Sequence, residues 1–269
     1  MIVMVKLLLI LAVIYLFAIR CRSGHPGMKD LKGWAYAHRG LHGDGIPENS
    51  MAAFKAALDG GYGIELDIHL LKDGNLAVMH DSLLNRTTGQ AGHIEDLTTQ
   101  QLQAYRLEGT GETIPEFMDV LTLFNGKAPL IVELKPHDGN QAALAEAACK
   151  MLESYKGVFC MESFDPRCIR WLKKNRPDII RGQLTENYFK VRSDLPDILK
   201  FALTHCLTNV ITTPDFIAYR YSHRNDSPSN LLCRKLWKAQ GVSWTLKTKE
   251  DYDTAMSEDL LPIFEGFRP

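Results

Sequence analysis

The chain has 269 residues, of which 45% are hydrophobic and 23% are charged, proportions that are ordinary for a globular protein. Lysine and arginine number 31 against 32 acidic residues, so the formal net charge of -1 gives no electrostatic basis for a nucleic-acid partner. The six cysteines show neither metal-binding nor disulfide spacing, which fits a reducing compartment.

The first element is an apolar run from Ile2 to Ile19 that only Lys6 interrupts. Because about 20 apolar residues cross the hydrocarbon core of a bilayer, we expect a single-pass transmembrane helix, with residues 1–22 as a membrane anchor and 23–33 as a linker. A cleaved signal peptide is the alternative, but its basic region would be short. Basic residues are more frequent after the run than before it, which predicts that the rest of the chain lies in the cytoplasm.

A strand, a loop and a helix follow the linker. The short apolar segment 34–37 leads into His38-Arg39-Gly40, and a loop rich in glycine and proline comes next. Ser50 is a suitable N-cap for a helix that ends at Gly60-Gly61. This order predicts a parallel βα unit.

The central stretch of the chain begins at Ile64. Its apolar residues alternate with Glu65, Asp67 and His69, the period-two pattern of a strand with two different faces. Carboxylates so close together raise one another's pKa unless a cation lies between them, so the pattern predicts a divalent metal site. The alternative is that these side chains are merely solvated.

A hairpin is expected after this strand. Asp73-Gly74 indicates a tight turn, and residues 76–79 predict a short antiparallel return strand. With these two turn residues, His80 lies directly across from Asp67, at about 5 Å between the Cβ atoms. The hairpin would then bring two carboxylates and an imidazole together.

The remainder of the chain predicts an α/β fold, a (β/α)8 TIM barrel over residues 34–269. Residues 81–128 contain two helical patterns without a buried strand, so we expect a small helical insertion over the site. Strands at 35–38 and 64–68 are followed by six further candidates, at 130–134, 158–163, 179–184, 210–213, 242–246 and 260–264. Active sites of such barrels lie at the C-terminal ends of the strands, where six charged or ionisable residues fall: His38, Arg39, Glu65, Asp67, Glu133 and Lys135.

Short motifs across the chain resemble those of the glycerophosphodiester phosphodiesterases. In family order they are His38-Arg39-Gly40, Pro47-Glu48-Asn49-Ser50, Glu65-Leu66-Asp67, Lys72-Asp73-Gly74, His80-Asp81 with Leu84-Asn85-Arg86-Thr87-Thr88, Glu133-Leu134-Lys135, Ser163-Phe164-Asp165 and Trp244-Thr245. The resemblance implies a barrel of the phosphoinositide-phospholipase type. It also implies metal-dependent hydrolysis of a glycerophosphodiester to sn-glycerol 3-phosphate and an alcohol.

The resemblance implies roles for the residues at these motifs. Glu65, Asp67 and Glu133 would be the metal ligands, and His38 and His80 the acid and base pair. Ligation by oxygen atoms alone suits Mg²⁺ or Ca²⁺ better than zinc.

Other positions are expected to hold the substrate or to support the site. The resemblance implies that Arg39 and Lys135 bind phosphate and that Trp244 lines the substrate pocket. Glu48 and Asn49 are suited both to the entry of a helix and to bracing the site.

Two other functions remain open from the sequence. One is a lysophospholipase D or sphingomyelinase-type phosphodiesterase acting on membrane lipids, and the other is a non-catalytic, membrane-tethered binding protein of the same fold. Residues 261–269 depart from the closing pattern of the family, so no pocket residue is carried over there. His69 is expected to have a supporting or structural role, and six histidines are expected in loops or at the surface: His25, His42, His93, His137, His205 and His223.

Overall fold

The structure, a computed structural model, describes residues 1–191 and 194–269. Its strands are β1 (Tyr36–His38), β2 (Gly63–Leu70), β3 (Leu76–Val78), β4 (Leu130–Leu134), β5 (Phe159–Ser163), β6 (Arg181–Thr185), β7 (Phe216–Arg220), β8 (Gln240–Leu246) and β9 (Leu260–Phe264). Its α-helices are α1 (Ile2–Ala18), α2 (Met28–Leu31), α3 (Met51–Asp59), α4 (Asn85–Thr88), α5 (Phe117–Phe124), α6 (Gln141–Leu152), α7 (Pro166–Asn175), α8 (Asp197–Thr204), α9 (Asn209–Thr212), α10 (Pro228–Lys235) and α11 (Lys249–Ser257).

The parallel strands close into a barrel. Strand β1 pairs with β2 on one side and with β9 on the other, and the remaining parallel pairs complete the circle. Strand β3 stands outside the circle, because it pairs antiparallel with the end of β2. The predicted eight-stranded TIM barrel and the hairpin after its second strand are therefore confirmed.

The sixth barrel strand was predicted at 210–213, and this is wrong. Residues Asn209–Thr212 form the short helix α9, and β7 follows at Phe216–Arg220. Val210 and Ile211 are 40% and 37% exposed, whereas Phe216 and Ile217 are buried. A short apolar run does not by itself distinguish a helical segment from a strand, and burial decided between them.

The predicted register of the hairpin is wrong by one residue. Ile68 pairs with Val78 and His69 with Ala77, so Met79, and not His80, lies beside Asp67. The turn contains three residues, Lys72 to Gly74, because the Leu71 amide donates to the carbonyl of Asn75. His80 consequently lies beyond the end of β3, so the alternation of side chains along that strand does not determine the direction of its imidazole.

The segment between β3 and β4 builds a small apolar core of its own. It contains α4, two 3-10 helices at Ile94–Asp96 and Thr99–Ala104, and α5. Its buried side chains pack together with Leu71 and Ala77 of the hairpin, and they include Met79, Leu84, Ile94, Leu102, Leu107 and Ile114. The segment is thus held rigidly beside the end of β2, where the site residues lie.

The N-terminal helix differs from the expected membrane span. Helix α1 has 17 residues, a length of about 26 Å, against a hydrocarbon core of about 30 Å. Among the described residues, no helix is both long and apolar enough to cross a membrane, so the predicted transmembrane helix is not supported. The end of α1 contacts the barrel domain through the Tyr15 hydroxyl, 2.6 Å from Ser229 Oγ, and through Trp237, which donates to the Leu16 carbonyl.

Candidate active site

Three carboxylates converge at the C-terminal ends of two neighbouring strands. Glu65 and Asp67 lie on β2 and Glu133 on β4, where Asp67 and Glu133 are register partners. The three residues are buried, and one oxygen from each lies within 4.8 Å of the others. Parallel pairing of the strands places the acids side by side, as the sequence pattern predicted.

Burial and mutual repulsion shape the protonation of this acid group. Burial raises the pKa of Glu65, and the charges of Asp67 and Glu133 raise it further. Burial also raises the pKa of Glu133 to about 7, although Lys135 opposes the shift. Burial acts to raise the pKa of Asp67 as well, but Lys135 and other nearby cationic groups outweigh it, and the pKa of Asp67 is lowered. The three carboxylates therefore resist being ionised together unless a further cation lies between them.

The acid group fits a divalent cation. Lys135 Nζ lies 3.1 Å from Asp67 Oδ1 and 2.7 Å from Glu133 Oε1, yet both buried oxygens lack a well-directed hydrogen bond. Buried carboxylate oxygens without hydrogen bonds are costly unless a cation binds them. Carboxylate oxygens are also the ligands that Mg²⁺ and Ca²⁺ prefer.

Each candidate catalytic histidine is held by its own carboxylate. His38 Nδ1 lies 2.6 Å from Glu265 Oε2, and His80 Nδ1 lies 2.5 Å from Asp81 Oδ1. In both rings Nε2 is left to act on a substrate. Burial lowers the pKa of His38 and lowers that of His80 to about 4, so both imidazoles are neutral at pH 7.

The His38-Arg39-Gly40 motif is shaped by backbone conformation. Arg39 has φ 56° and Asn49 has φ 52°, both in the left-handed region, and the Asn49 amide donates to the Arg39 carbonyl at 2.9 Å. Gly40 also has positive φ, and a Cβ there would lie 2.8 Å from Ala53 Cβ, which excludes larger residues. This turn directs the Arg39 amide toward Glu65 Oε2, at 3.2 Å.

Of the basic and supporting residues predicted from the sequence, Arg39, Lys135 and Asn49 contact the acid group, and Glu48 is linked to it through Arg39. Arg39 donates to Glu48 Oε1 at 2.9 Å, and its Nε lies 3.6 Å from Asp67 Oδ2. Asn49 Nδ2 donates to Asp67 Oδ2 at 2.8 Å. Glu48 also accepts hydrogen bonds from Arg86, for which the family resemblance implied no role in the site.

Two adjoining cavities open at this end of the barrel. The smaller, of about 40 Å³, lies over the acids and is lined by His38, Arg39, Glu65, His80, Glu133, Glu162, Phe164, Leu184, Trp244 and Ile263. The larger, of about 530 Å³, shares His38, Arg39 and Trp244 with it and extends to Arg220, Lys247, Asp251 and Glu265. The indole N–H of Trp244 donates to the Ala218 carbonyl and fixes the ring. The same side chain lines both cavities.

Sequence reasoning missed three acidic residues of the site. Glu265 lies in the segment that departs from the family pattern. Asp81 belongs to the motif His80-Asp81, but no role was predicted for it. Glu162 is 1% exposed, pairs in register with Glu133 and has an Oε2 without a hydrogen bond. A glutamate within the buried strand 159–163 was the available signal for Glu162.

Comparison with known proteins agrees with this geometry. The model of the glycerophosphoryl diester phosphodiesterase family matches residues 38–255. The chain is 33% identical over 164 residues to a glycerophosphodiester phosphodiesterase of Caldanaerobacter subterraneus, covering 57% of this chain and 67% of that relative. It is 39% identical over 271 residues to glycerophosphodiester phosphodiesterase 1 of Rattus norvegicus, covering 86% of this chain and 80% of the relative.

A solved structure shares the fold. An Oleispira antarctica phosphodiesterase, solved in complex with the product sn-glycerol-3-phosphate, superposes with a TM-score of 0.73 at 21% identity. The match covers 91% of this chain and 95% of that one. The motifs, the barrel and the extent of the family match lead to one assignment: the chain belongs to the glycerophosphoryl diester phosphodiesterase family.

Proposed function

We propose that the protein is a metal-dependent phosphodiesterase that hydrolyses glycerophosphodiesters to sn-glycerol 3-phosphate and an alcohol. The observation that carries the proposal is a buried group of three carboxylates beside two neutral histidines, at the floor of an open cavity. The names of the relatives and the product complex of the Oleispira protein support the same substrate class.

The proposed metal ligands are Glu65, Asp67 and Glu133, and the proposed cation is Mg²⁺ or Ca²⁺. A cation bound there would stabilise the negative charge that develops on the phosphoryl oxygens. Arg39 and Lys135 lie against the same acids, so their cationic groups would meet the phosphate from the protein side. Neither cation could be replaced by a neutral residue without loss of this electrostatic stabilisation.

His38 and His80 would divide the proton transfers. One Nε2 would accept the proton of the nucleophile, which the family resemblance implies is the neighbouring glycerol hydroxyl, and the other would first take up a proton from solvent and then donate it to the leaving alkoxide. Water would next open the resulting cyclic phosphate to sn-glycerol 3-phosphate, with the two histidines in exchanged roles. Glu265 and Asp81 would hold the two rings through Nδ1 and so direct Nε2 toward the phosphate. Trp244 would pack against the substrate at the entrance.

A metal-reconstitution assay tests the proposal. Protein stripped with a chelator should release no sn-glycerol 3-phosphate from glycerophosphocholine, and Mg²⁺ or Ca²⁺ should restore the reaction. Glu133→Gln should remain inactive at every metal concentration, whereas Glu146→Gln, which changes a glutamate of α6 outside the site, should be restored normally. Unchanged turnover in chelator, or full activity of Glu133→Gln, would contradict the metal assignment.

A lysophospholipase D activity is the second candidate, and a further cavity favours it. This apolar cavity, of about 700 Å³, is lined by Phe164, Pro166, Tyr188, Leu199 and Leu203 among others. Phe164 also lines the cavity over the acids, so the two spaces meet at that ring. An acyl chain could therefore lie in the apolar cavity while the phosphate of the same lipid reaches the site.

Paired substrates distinguish the two candidates. If the acyl chain binds there, Leu199→Glu should lower turnover of lysophosphatidylcholine and leave turnover of glycerophosphocholine unchanged. Leu231→Glu, at an exposed leucine of α10, is the matched control. Equal effects of Leu199→Glu on both substrates, or no activity on the lysolipid, would eliminate this candidate.

We also propose that α1 attaches the protein to a membrane, with the catalytic domain on the cytoplasmic side. Support comes from the side chains of α1, which are apolar except for Lys6 and almost all exposed. Separation of membrane and soluble fractions for the full chain and for a variant lacking residues 1–18 tests attachment. Protease protection in sealed vesicles tests the side.

A further inference from the structure

A second group of metal-binding side chains lies outside the acid group. His93 precedes the first 3-10 helix of the segment after β3, Glu95 lies within that helix, and His137 follows β4. One ligand atom from each lies within 4.8 Å of the other two. Sequence reasoning had expected both histidines to be ordinary loop residues.

The three side chains surround the hydroxyl group of Ser82. Ser82 Oγ lies 2.9 Å from His93 Nδ1, 2.7 Å from Glu95 Oε2 and 3.4 Å from His137 Nδ1. The hydroxyl has a single hydrogen, which it donates to Glu95, and it cannot bond all three partners equally well. The contact with His137 is accordingly the longest.

We propose that His93, Glu95 and His137 form a second metal site, which binds Zn²⁺ or a divalent cation of similar preference. Two imidazoles and one carboxylate are a ligand set suited to such cations, whereas Mg²⁺ and Ca²⁺ prefer oxygen alone. Ligands at about 2.1 Å from a tetrahedral zinc lie roughly 3.4 Å apart. The three ligand atoms, which lie within 4.8 Å of one another, would therefore draw together, and the Ser82 hydroxyl between them would turn away. Two neutral imidazoles and one carboxylate leave a net positive charge on the bound ion.

The carboxylate of this group is already oriented. Glu95 Oε1 accepts a hydrogen bond from His69 Nδ1 at 2.6 Å. The other oxygen, Oε2, is directed at the Ser82 hydroxyl between the three side chains. Support of a metal ligand by an outer hydrogen bond of this kind is common in metal sites. It also gives His69 a role.

The proposed site would connect the catalytic face to the segment that covers it. Ser82 and Glu95 belong to the segment after β3, and His137 belongs to the loop after β4. His69 Nε2 lies 3.3 Å from the His80 carbonyl, so the group also contacts the backbone of a proposed catalytic residue. A bound cation would therefore hold His80 in place without touching the substrate.

Zinc stoichiometry of the full chain in an acid-site variant tests the proposal. In Glu65→Gln/Asp67→Asn/Glu133→Gln, folded by circular dichroism, metal can no longer bind the three acids. After loading with Zn²⁺ and desalting, we expect one equivalent of zinc in this variant and a higher melting temperature than in the stripped protein. Adding His93→Gln or His137→Gln should remove both effects, and adding His205→Gln, at the C-terminal end of α8, should not.

Absence of stoichiometric zinc from the folded acid-site variant would overturn the proposal. So would retention of zinc after His93→Gln. If the acid-site variant does not fold, a second measurement uses proteins in which the three acids are intact. His93→Gln alone should then bind one equivalent of zinc less than the wild-type protein. An equal zinc content in the two proteins would be contrary evidence. None of these readouts depends on phosphodiesterase activity, so the second site can fail independently of the proposed function.

Discussion

At the scale of single residues, the pairing of each imidazole with a carboxylate is the feature that decides the chemistry. Glu265 Oε2 binds Nδ1 of His38, and the hydrogen bond helps lower the pKa of Glu265 to about 2. A carboxylate that accepts from Nδ1 selects the tautomer in which Nε2 is unprotonated and available. We therefore expect Glu265 to act as a positioning residue, although the last strand departs from the family pattern.

Glu265→Gln should lower kcat for glycerophosphocholine by about tenfold or more, with little change in KM, because ring orientation and not substrate binding is disturbed. Steady-state kinetics at saturating metal measure the two constants. Glu250→Gln on α11 is the control. A raised KM with unchanged kcat would show instead that Glu265 binds substrate.

The division of labour between His38 and His80 can be measured with an activated leaving group. His38→Ala and His80→Ala should each lower turnover of glycerophosphocholine by about 100-fold or more. With a p-nitrophenyl ester of glycerol phosphate the departing group needs no proton, so the variant that lacks the general acid should recover and the other should not. Near wild-type rates of both variants on glycerophosphocholine would remove the assignment.

Protonation of Glu133 should make metal binding depend on pH. Its pKa is raised to about 7 by burial, and the proton must leave before a cation can bind. Apparent Mg²⁺ or Ca²⁺ affinity should therefore fall by up to about tenfold for each pH unit below 7. Calorimetric titration at pH 6, 7 and 8 measures this slope, and a pH-independent affinity would contradict it.

At the scale of elements, the approach of neighbouring strands limits side-chain size inside the barrel wall. Gly182 of β6 is the register partner of Phe216 of β7, and a Cβ at Gly182 would lie 1.9 Å from the aromatic ring. The ring fills the space that a larger residue on β6 would need. This close packing explains why a glycine occupies the interior of a strand, a position that glycine otherwise destabilises.

Gly182→Ala should lower the free energy of unfolding by about 1–3 kcal/mol or more, because the Phe216 ring must move. Gly111→Ala is the matched control, since a Cβ there meets no atom within 4 Å and its φ is not positive. Urea denaturation of both variants measures the difference. A stability loss for Gly182→Ala no larger than that for Gly111→Ala would show that the ring relaxes freely.

At the scale of the whole molecule, the proposed metal site joins strands that are distant in sequence. Glu65 and Glu133 come from β2 and β4, with the whole segment 81–128 between them. A cation that binds the folded acids and not the unfolded chain stabilises the entire barrel domain. At 100 times the dissociation constant this stabilisation amounts to about 2.7 kcal/mol.

Mg²⁺ or Ca²⁺ should consequently raise the melting temperature of the stripped protein, and more at pH 8 than at pH 6. The sign follows from Glu133, which is protonated below about pH 7 in the absence of metal and must lose that proton to bind it. Thermal denaturation at both pH values measures the shift. Glu133→Gln should show little shift, and an equal shift in that variant would contradict the site.

The sequence by itself determined the architecture and the family. Alternation of residues in β2, apolar strands separated by helices and motifs in family order predicted the barrel and glycerophosphodiester hydrolysis, and these predictions are confirmed. They succeeded because local patterns report burial, and because parallel strands bring their C-terminal ends to one face.

Only the tertiary structure decided the contacts between distant segments. The location of β7, the register of His80, the carboxylate behind His38 and the convergence of His93 with His137 each depend on how separate elements pack. Local sequence does not encode these contacts. Hairpin register depends on the length of the turn. Residues such as His38 and Glu265, which are 227 positions apart, meet only when the barrel closes. Closure of the barrel is thus the physical step that completes the site.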